Sequence, residues 1–177
     1  MSDDDLRSMM RDPTGATGIH QCGFHVDQFV SVTGIRLCDR PLLLVAKPTW
    51  ELGQRNVLAE NLKQQLDACV RLLECQGFRV VRNPIPMEVT TDSGKRLPRL
   101  YNNVLLENAI RPGKSRPLVW VPQFGDVEPL EKYDRLNLDI WHQLGFEPVS
   151  VPGWSHFASR NGAVRCATKV LARNSFP

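Results

Sequence analysis

No apolar run in this 177-residue chain approaches the ~20 residues that a membrane-spanning helix requires. The stretch from Met1 to Arg11 is acidic and polar without an apolar centre, so no secretory signal is expected there. A large excess of charge of one sign is also lacking. The net charge is +3 and the basic residues are scattered, which argues against a nucleic-acid partner, and no membrane partner is expected either. The five cysteines (Cys22, Cys38, Cys69, Cys75 and Cys166) are odd in number and lack the spacing of a disulfide framework. Free thiols in a reducing, cytoplasmic compartment are the expectation. What remains is an ordinary globular balance, 42% hydrophobic and 23% charged, in a length that fits one domain with a substantial core.

Residues 1–21 read as a loop or disordered lead-in, rich in Asp, Ser, Pro and Gly, with turn chemistry at Pro13-Thr14-Gly15. From residue 22 onward the pattern is α/β. Val26, Phe29, Val30 and Val32 are β-prone, and Leu42-Leu43-Leu44-Val45 is a buried-strand run after a turn around Asp39-Arg40-Pro41. Residues Asn56 to Gln76 predict a helix, with Leu58, Leu62, Leu66, Cys69, Val70 and Leu73 on one face and Gly77 as its stop. A strand at Phe78-Arg79-Val80-Val81 follows, ended by Pro84 and Pro86.

The same order then returns. Asn103-Val104-Leu105-Leu106 predicts a strand, Arg111-Pro112-Gly113 a turn, and Leu118-Val119-Trp120-Val121 a second strand. Leu130 to Leu144 predicts a helix on Leu130, Tyr133, Leu136, Ile140 and Leu144, stopped by Gly145 and followed by a strand from Phe146. The chain therefore reads as two β-β-α-β units at a period of roughly 70 residues. Such units leave edges and faces to bury against neighbours, so a homo-oligomer or a partner supplying further units is expected.

Two distant segments carry the chemistry. Phe24-His25-Val26-Asp27-Gln28-Phe29 offers a histidine and a carboxylate, and Gly162-Ala163-Val164-Arg165-Cys166-Ala167-Thr168 offers a thiol. Cysteine is a soft nucleophile, histidine moves protons, and aspartate grips a positive group, a combination suited to attack on a cationic, planar carbon. In an extended strand His25 and Asp27 would point to the same side. Blander readings stand beside these. Free cysteines are usually small core residues, the reading kept for Cys22, Cys38, Cys69 and Cys75. His25 would then be a hydrogen-bonded histidine at a strand start, and Asp27 a solvated turn carboxylate. His20, Cys22, His25 and Asp27 fall close enough to ligate zinc, but their spacing matches no strong zinc pattern, so no metal is expected.

These segments, together with Tyr101-Asn102-Asn103 and Val121-Pro122-Gln123-Phe124-Gly125-Asp126, resemble in order the motifs of the guanidine-deiminase superfamily of the five-bladed α/β propeller (pentein) fold. That superfamily includes agmatine, arginine and peptidylarginine deiminases and dimethylarginine hydrolases, and the resemblance is nearest to the peptidylarginine and agmatine deiminases. It covers about residues 20–173, and implies an incomplete propeller domain over residues 22–177. It further implies Cys166 as nucleophile, His25 as acid and base, and Asp27 as the guanidinium grip. The reaction implied releases ammonia and a ureido product without a cofactor, from a guanidinium-containing small molecule or peptidyl arginine. Phe24 stands where the family has glycine, and Arg165 where it has histidine. The family's further acidic residue, from an earlier blade, has no counterpart at the expected separation, since Arg11-Asp12 lies too near His25. A non-catalytic relative and an amidinotransferase, which shares the fold and nucleophile, are the alternative expectations.

Overall fold

The computed structural model describes residues 25–50, 57–89, 96–126, 130–158 and 162–171. The predicted lead-in, with Asp12, His20, Cys22 and Phe24, lies outside them. A 3₁₀ turn, Val26–Gln28, leads into β1 (Val30–Leu37), β2 (Arg40–Thr49), α1 (Val57–Cys75), β3 (Arg79–Val89) and the short β4 (Arg96–Pro98). A second set follows: β5 (Leu105–Glu107), β6 (Leu118–Pro122), α2 (Glu131–Gln143), β7 (Glu147–Val151) and the one-turn α3 (Ser155–Ala158).

The two sets share one topology. β1 pairs antiparallel with β2, which pairs parallel with β3 across α1. β5 pairs antiparallel with β6, which pairs parallel with β7 across α2. Both helices stop alike. Gly77 and Gly145 take φ values of 92° and 91°, a region in which a side chain would be strained. At each stop the glycine N–H and the next N–H close back on the last turn: Gly77 to Glu74 and Phe78 to Leu73, Gly145 to His142 and Phe146 to Trp141.

The central strand β2 is buried from Leu42 through Ala46, and Ala59, Leu62 and Leu66 of α1 close over it. The same core continues into the second unit through Val119, Val121, Leu130, Trp141 and Phe146. Each fully buried large apolar side chain stabilises the fold by about 1.5–3 kcal/mol. Polar groups also join the units. The buried Asn83 of β3 donates to Asn137 of α2 at 2.8 Å, and Asn137 donates to the carbonyls of Pro84 and Tyr133 at 3.0 and 2.9 Å.

Four local expectations are corrected. Residues 26–28 form a 3₁₀ turn, and the strand begins only at Val30. Gln28 N–H bonds to the His25 carbonyl and Phe29 N–H to the Val26 carbonyl, each at 3.1 Å. β3 runs through Pro84 and Pro86 instead of ending there. Their carbonyls turn away from β2, to Asn137 and to Arg99 N–H, so the missing N–H groups lie on the side that β2 does not use. Residues 101–104 form tight turns, and β5 starts at Leu105. On α2, Leu136 is exposed while Asp134 and Asn137 are buried, because the inner face is spent on hydrogen bonds as well as on packing.

Candidate active site

The turns at Tyr101-Asn102-Asn103 are tight enough that three consecutive side chains reach three different parts of the fold. Tyr101 N–H bonds to the Arg99 carbonyl, Asn103 N–H to Leu100 and Val104 N–H to Asn102, at 2.9–3.0 Å. The Tyr101 hydroxyl donates to Asp134 Oδ1 of α2. Asn102 Nδ2 donates to the Leu44 carbonyl of β2 at 3.0 Å, and Ser31 Oγ of β1 donates to the Asn102 carbonyl at 2.9 Å. Asn103 reaches the two segments that carry the candidate chemistry.

Asp134 anchors the second motif. Its carboxylate accepts Phe124 N–H at 2.9 Å and Gly125 N–H at 2.7 Å in addition to the Tyr101 hydroxyl. Burial, then the hydrogen bond to Asp134 and its negative charge, hold the Tyr101 hydroxyl well above the usual tyrosine range, with Arg99 opposing. Gly125 has no room for a side chain, since an added Cβ would sit 2.6 Å from Asp134 Oδ2. The Val121–Asp126 and Tyr101–Asn103 motifs therefore meet at one buried carboxylate. Asp134 was missed by sequence reasoning, because the helix also carries the exposed Asp139 and nothing in its amphipathic pattern marks one of the two as buried.

Asn103 is fully buried. Its Nδ2 donates to Asp27 Oδ2 at 2.9 Å. Its Oδ1 accepts the N–H groups of Ala163 and Cys166, at 3.1 and 3.2 Å, and its backbone carbonyl accepts Arg165 N–H at 3.2 Å. Residues 164–167 form a turn closed by Ala167 N–H to the Ala163 carbonyl, at 3.2 Å. Cys166 stands exposed on that turn. Gly162 backs onto it: a Cβ there would lie 3.3 Å from Cys166 Cβ and 3.8 Å from its Sγ.

Asp27 and the Cys166 turn, far apart in sequence, thus converge on one amide. His25 is exposed and opens the 3₁₀ turn that holds the half-buried Asp27. The two do not alternate along a strand as expected, because a 3₁₀ turn rotates successive residues by about 120°. Cys38 and Cys75 are also corrected: both are exposed, Cys38 in the β1–β2 turn at φ 48° and Cys75 at the end of α1. Burial pushes the Cys69 thiol up from its ordinary range. Among the described residues, no group of three His, Cys, Asp or Glu side chains could hold a metal ion, and no helix is long and apolar enough to cross a membrane. An open groove of about 500 Å³ lies elsewhere, lined by Arg40, Arg71, Glu74, Cys75, Phe78 and Arg79.

No protein-family model and no curated protein matches the sequence. Solved structures match the fold. A peptidyl-arginine deiminase-like protein superposes with a TM-score of 0.55 at 17% identity, over 98% of this chain and 49% of its own. An arginine deiminase-like protein from Porphyromonas gingivalis gives 0.51 at 19% identity, over 80% of this chain and 36% of its own. Agmatine deiminase from C. jejuni gives 0.46 at 19% identity, over 80% and 36%. The chain spans less than half the length of each of these neighbours. It has the fold of part of the deiminase (pentein) α/β propeller, and the two β-β-α-β units described above are its repeating element.

Proposed function

We propose that this chain carries the nucleophile-bearing part of a deiminase site acting on a guanidinium group. The observation that supports it is the Asn103 amide, bonded at one end to Asp27 and at the other to the turn of Cys166. A carboxylate suited to a cation and a thiol suited to its carbon are thereby tied to one buried point.

In this reading Asp27 takes hydrogen bonds from the guanidinium. The Cys166 thiolate attacks the central carbon, forming a C–S bond. A C–N bond then breaks, and the nitrogen leaves as ammonia with a proton supplied by His25. The remaining S-linked thiouronium is attacked by water, whose proton His25 takes. The C–S bond breaks, the thiolate returns, and a ureido product departs. The substrate is a guanidinium-containing small molecule or peptidyl arginine, and the free thiols fit a reducing compartment such as the cytoplasm.

The test is incubation of the purified chain with agmatine, arginine and an arginine-containing peptide, assaying ureido product and ammonia. Slow turnover is expected in the wild type, since the family's earlier-blade acid has no counterpart to help orient the cation, and its loss is expected in Cys166→Ser, whose hydroxyl is a far poorer nucleophile without a strong base. Equal turnover in the two proteins, or none in either, would sink this reading.

A further inference from the structure

Asn103 does more than fill a buried space. Of the four hydrogen bonds that a primary amide side chain readily makes, three are formed, and they point in opposed directions: Nδ2 to Asp27, Oδ1 to the N–H groups of Ala163 and Cys166. Those partners fix which end of the amide is which. Two N–H donors face one end and require oxygen there. The carboxylate faces the other end and requires the NH₂. The side chain has no exposure through which water could replace either set. A change at Asp27 is therefore felt at the Cys166 backbone through a single rigid plane, although Asp27 has no bond to the 163–166 turn among those described.

We infer that Asn103 is a positioning residue that sets the geometry between the cation-gripping carboxylate of Asp27 and the nucleophile turn of Cys166. The inference rests on the deiminase reading for its catalytic consequence, but the coupling itself is a property of the fold. No other amino acid has the same two-ended reach. Aspartate would keep the acceptor for the two N–H groups but would face Asp27 with a like charge. Glutamine would displace both ends by one methylene in a packed interior. Alanine would release the turn and leave the Ala163 and Cys166 N–H groups and the Asp27 oxygen without their partner.

The experiment is residue-resolved amide hydrogen exchange on the full chain, comparing wild type, Asn103→Ala and Asp27→Ala. Exchange at Ala163, Arg165 and Cys166 is expected to speed up about 100-fold in Asn103→Ala and about tenfold in Asp27→Ala, with Val45 in the core strand unchanged. A merely structural loss would accelerate Val45 as well. Unchanged exchange at Ala163 and Cys166 in Asp27→Ala would overturn the coupling, and this arm stands even if Asn103→Ala does not fold. In parallel, kcat of Asn103→Ala on a turned-over guanidine is expected to fall about 100-fold at temperatures where the variant is folded. Full kcat in that folded variant would also overturn the inference. Coupled exchange in a wild type that turns over no guanidine would remove the deiminase reading and leave the coupling in place.

Discussion

Tyr101 and Asp134 are joined by a hydrogen bond deep in the second unit, and the same carboxylate also holds the Phe124–Gly125 turn. The pair sets an alkaline limit on stability. The folded Tyr101 holds its proton far more tightly than the unfolded residue, whose pKa is about 10. The stabilisation this represents is fully present below pH 10 and is lost as pH rises above it, by about 1.4 kcal/mol per unit. Tyr101→Phe should therefore be less stable than wild type at pH 7, by about 1–3 kcal/mol, and the difference should shrink above pH 10. Urea denaturation at pH 7, 10 and 11 reads it. A constant difference across that range would contradict the assignment.

Gly125 should tolerate no side chain. Its added Cβ would meet Asp134 Oδ2 at 2.6 Å and Glu131 Cγ at 3.1 Å. Gly125→Ala is expected to cost about 1–3 kcal/mol, by forcing the carboxylate away from the N–H groups it holds. In the double variant with Asp134→Ala the total cost should be clearly less than the sum of the two single costs, because the 2.6 Å obstruction is gone. Strict additivity in thermal or urea denaturation would show that the contact is not the cause.

Arg40 closes the first unit at the end of α1. Its Nε donates to the Gly77 carbonyl at 2.9 Å, and its Nη2 to the carbonyls of Glu74 and Phe78 at 3.0 and 2.9 Å. Arg40→Ala should destabilise the fold by about 2 kcal/mol. Arg40→Lys should recover only part of this, since a single ammonium cannot reproduce the planar fork. Denaturation midpoints of the three proteins check the ranking, and a lysine variant equal to wild type would remove the role of the fork.

The repeat was legible in the sequence because its signals are local. The apolar runs Leu42–Val45 and Leu118–Val121 lie in β2 and β6, and the glycines at 77 and 145 terminate both helices. Strand runs need only their own side chains to be buried, and a helix stop needs only one residue free to adopt positive φ. Where the sequence reading went astray, a distant partner had taken over. Pro84 and Pro86 sit inside β3 because Asn137 and Arg99 use their carbonyls on the side away from β2. Asp134 and Asn137 turn inward on α2, where periodicity put Leu136, because the 124–125 turn and β3 supply groups for them to bond.

The same division runs through the candidate site. The proposal of His25, Asp27 and Cys166 as site residues comes from residue type and motif order alone, since the chemistry a side chain can offer is local to it. Their arrangement does not follow from these. The 3₁₀ turn that replaces an extended strand at Val26–Gln28, and the Asn103 amide that links Asp27 to the Cys166 turn, exist only when the chain is folded. Buried polar groups must find partners wherever the fold supplies them, and for Asn103 those partners lie some sixty to eighty residues away on either side of the chain.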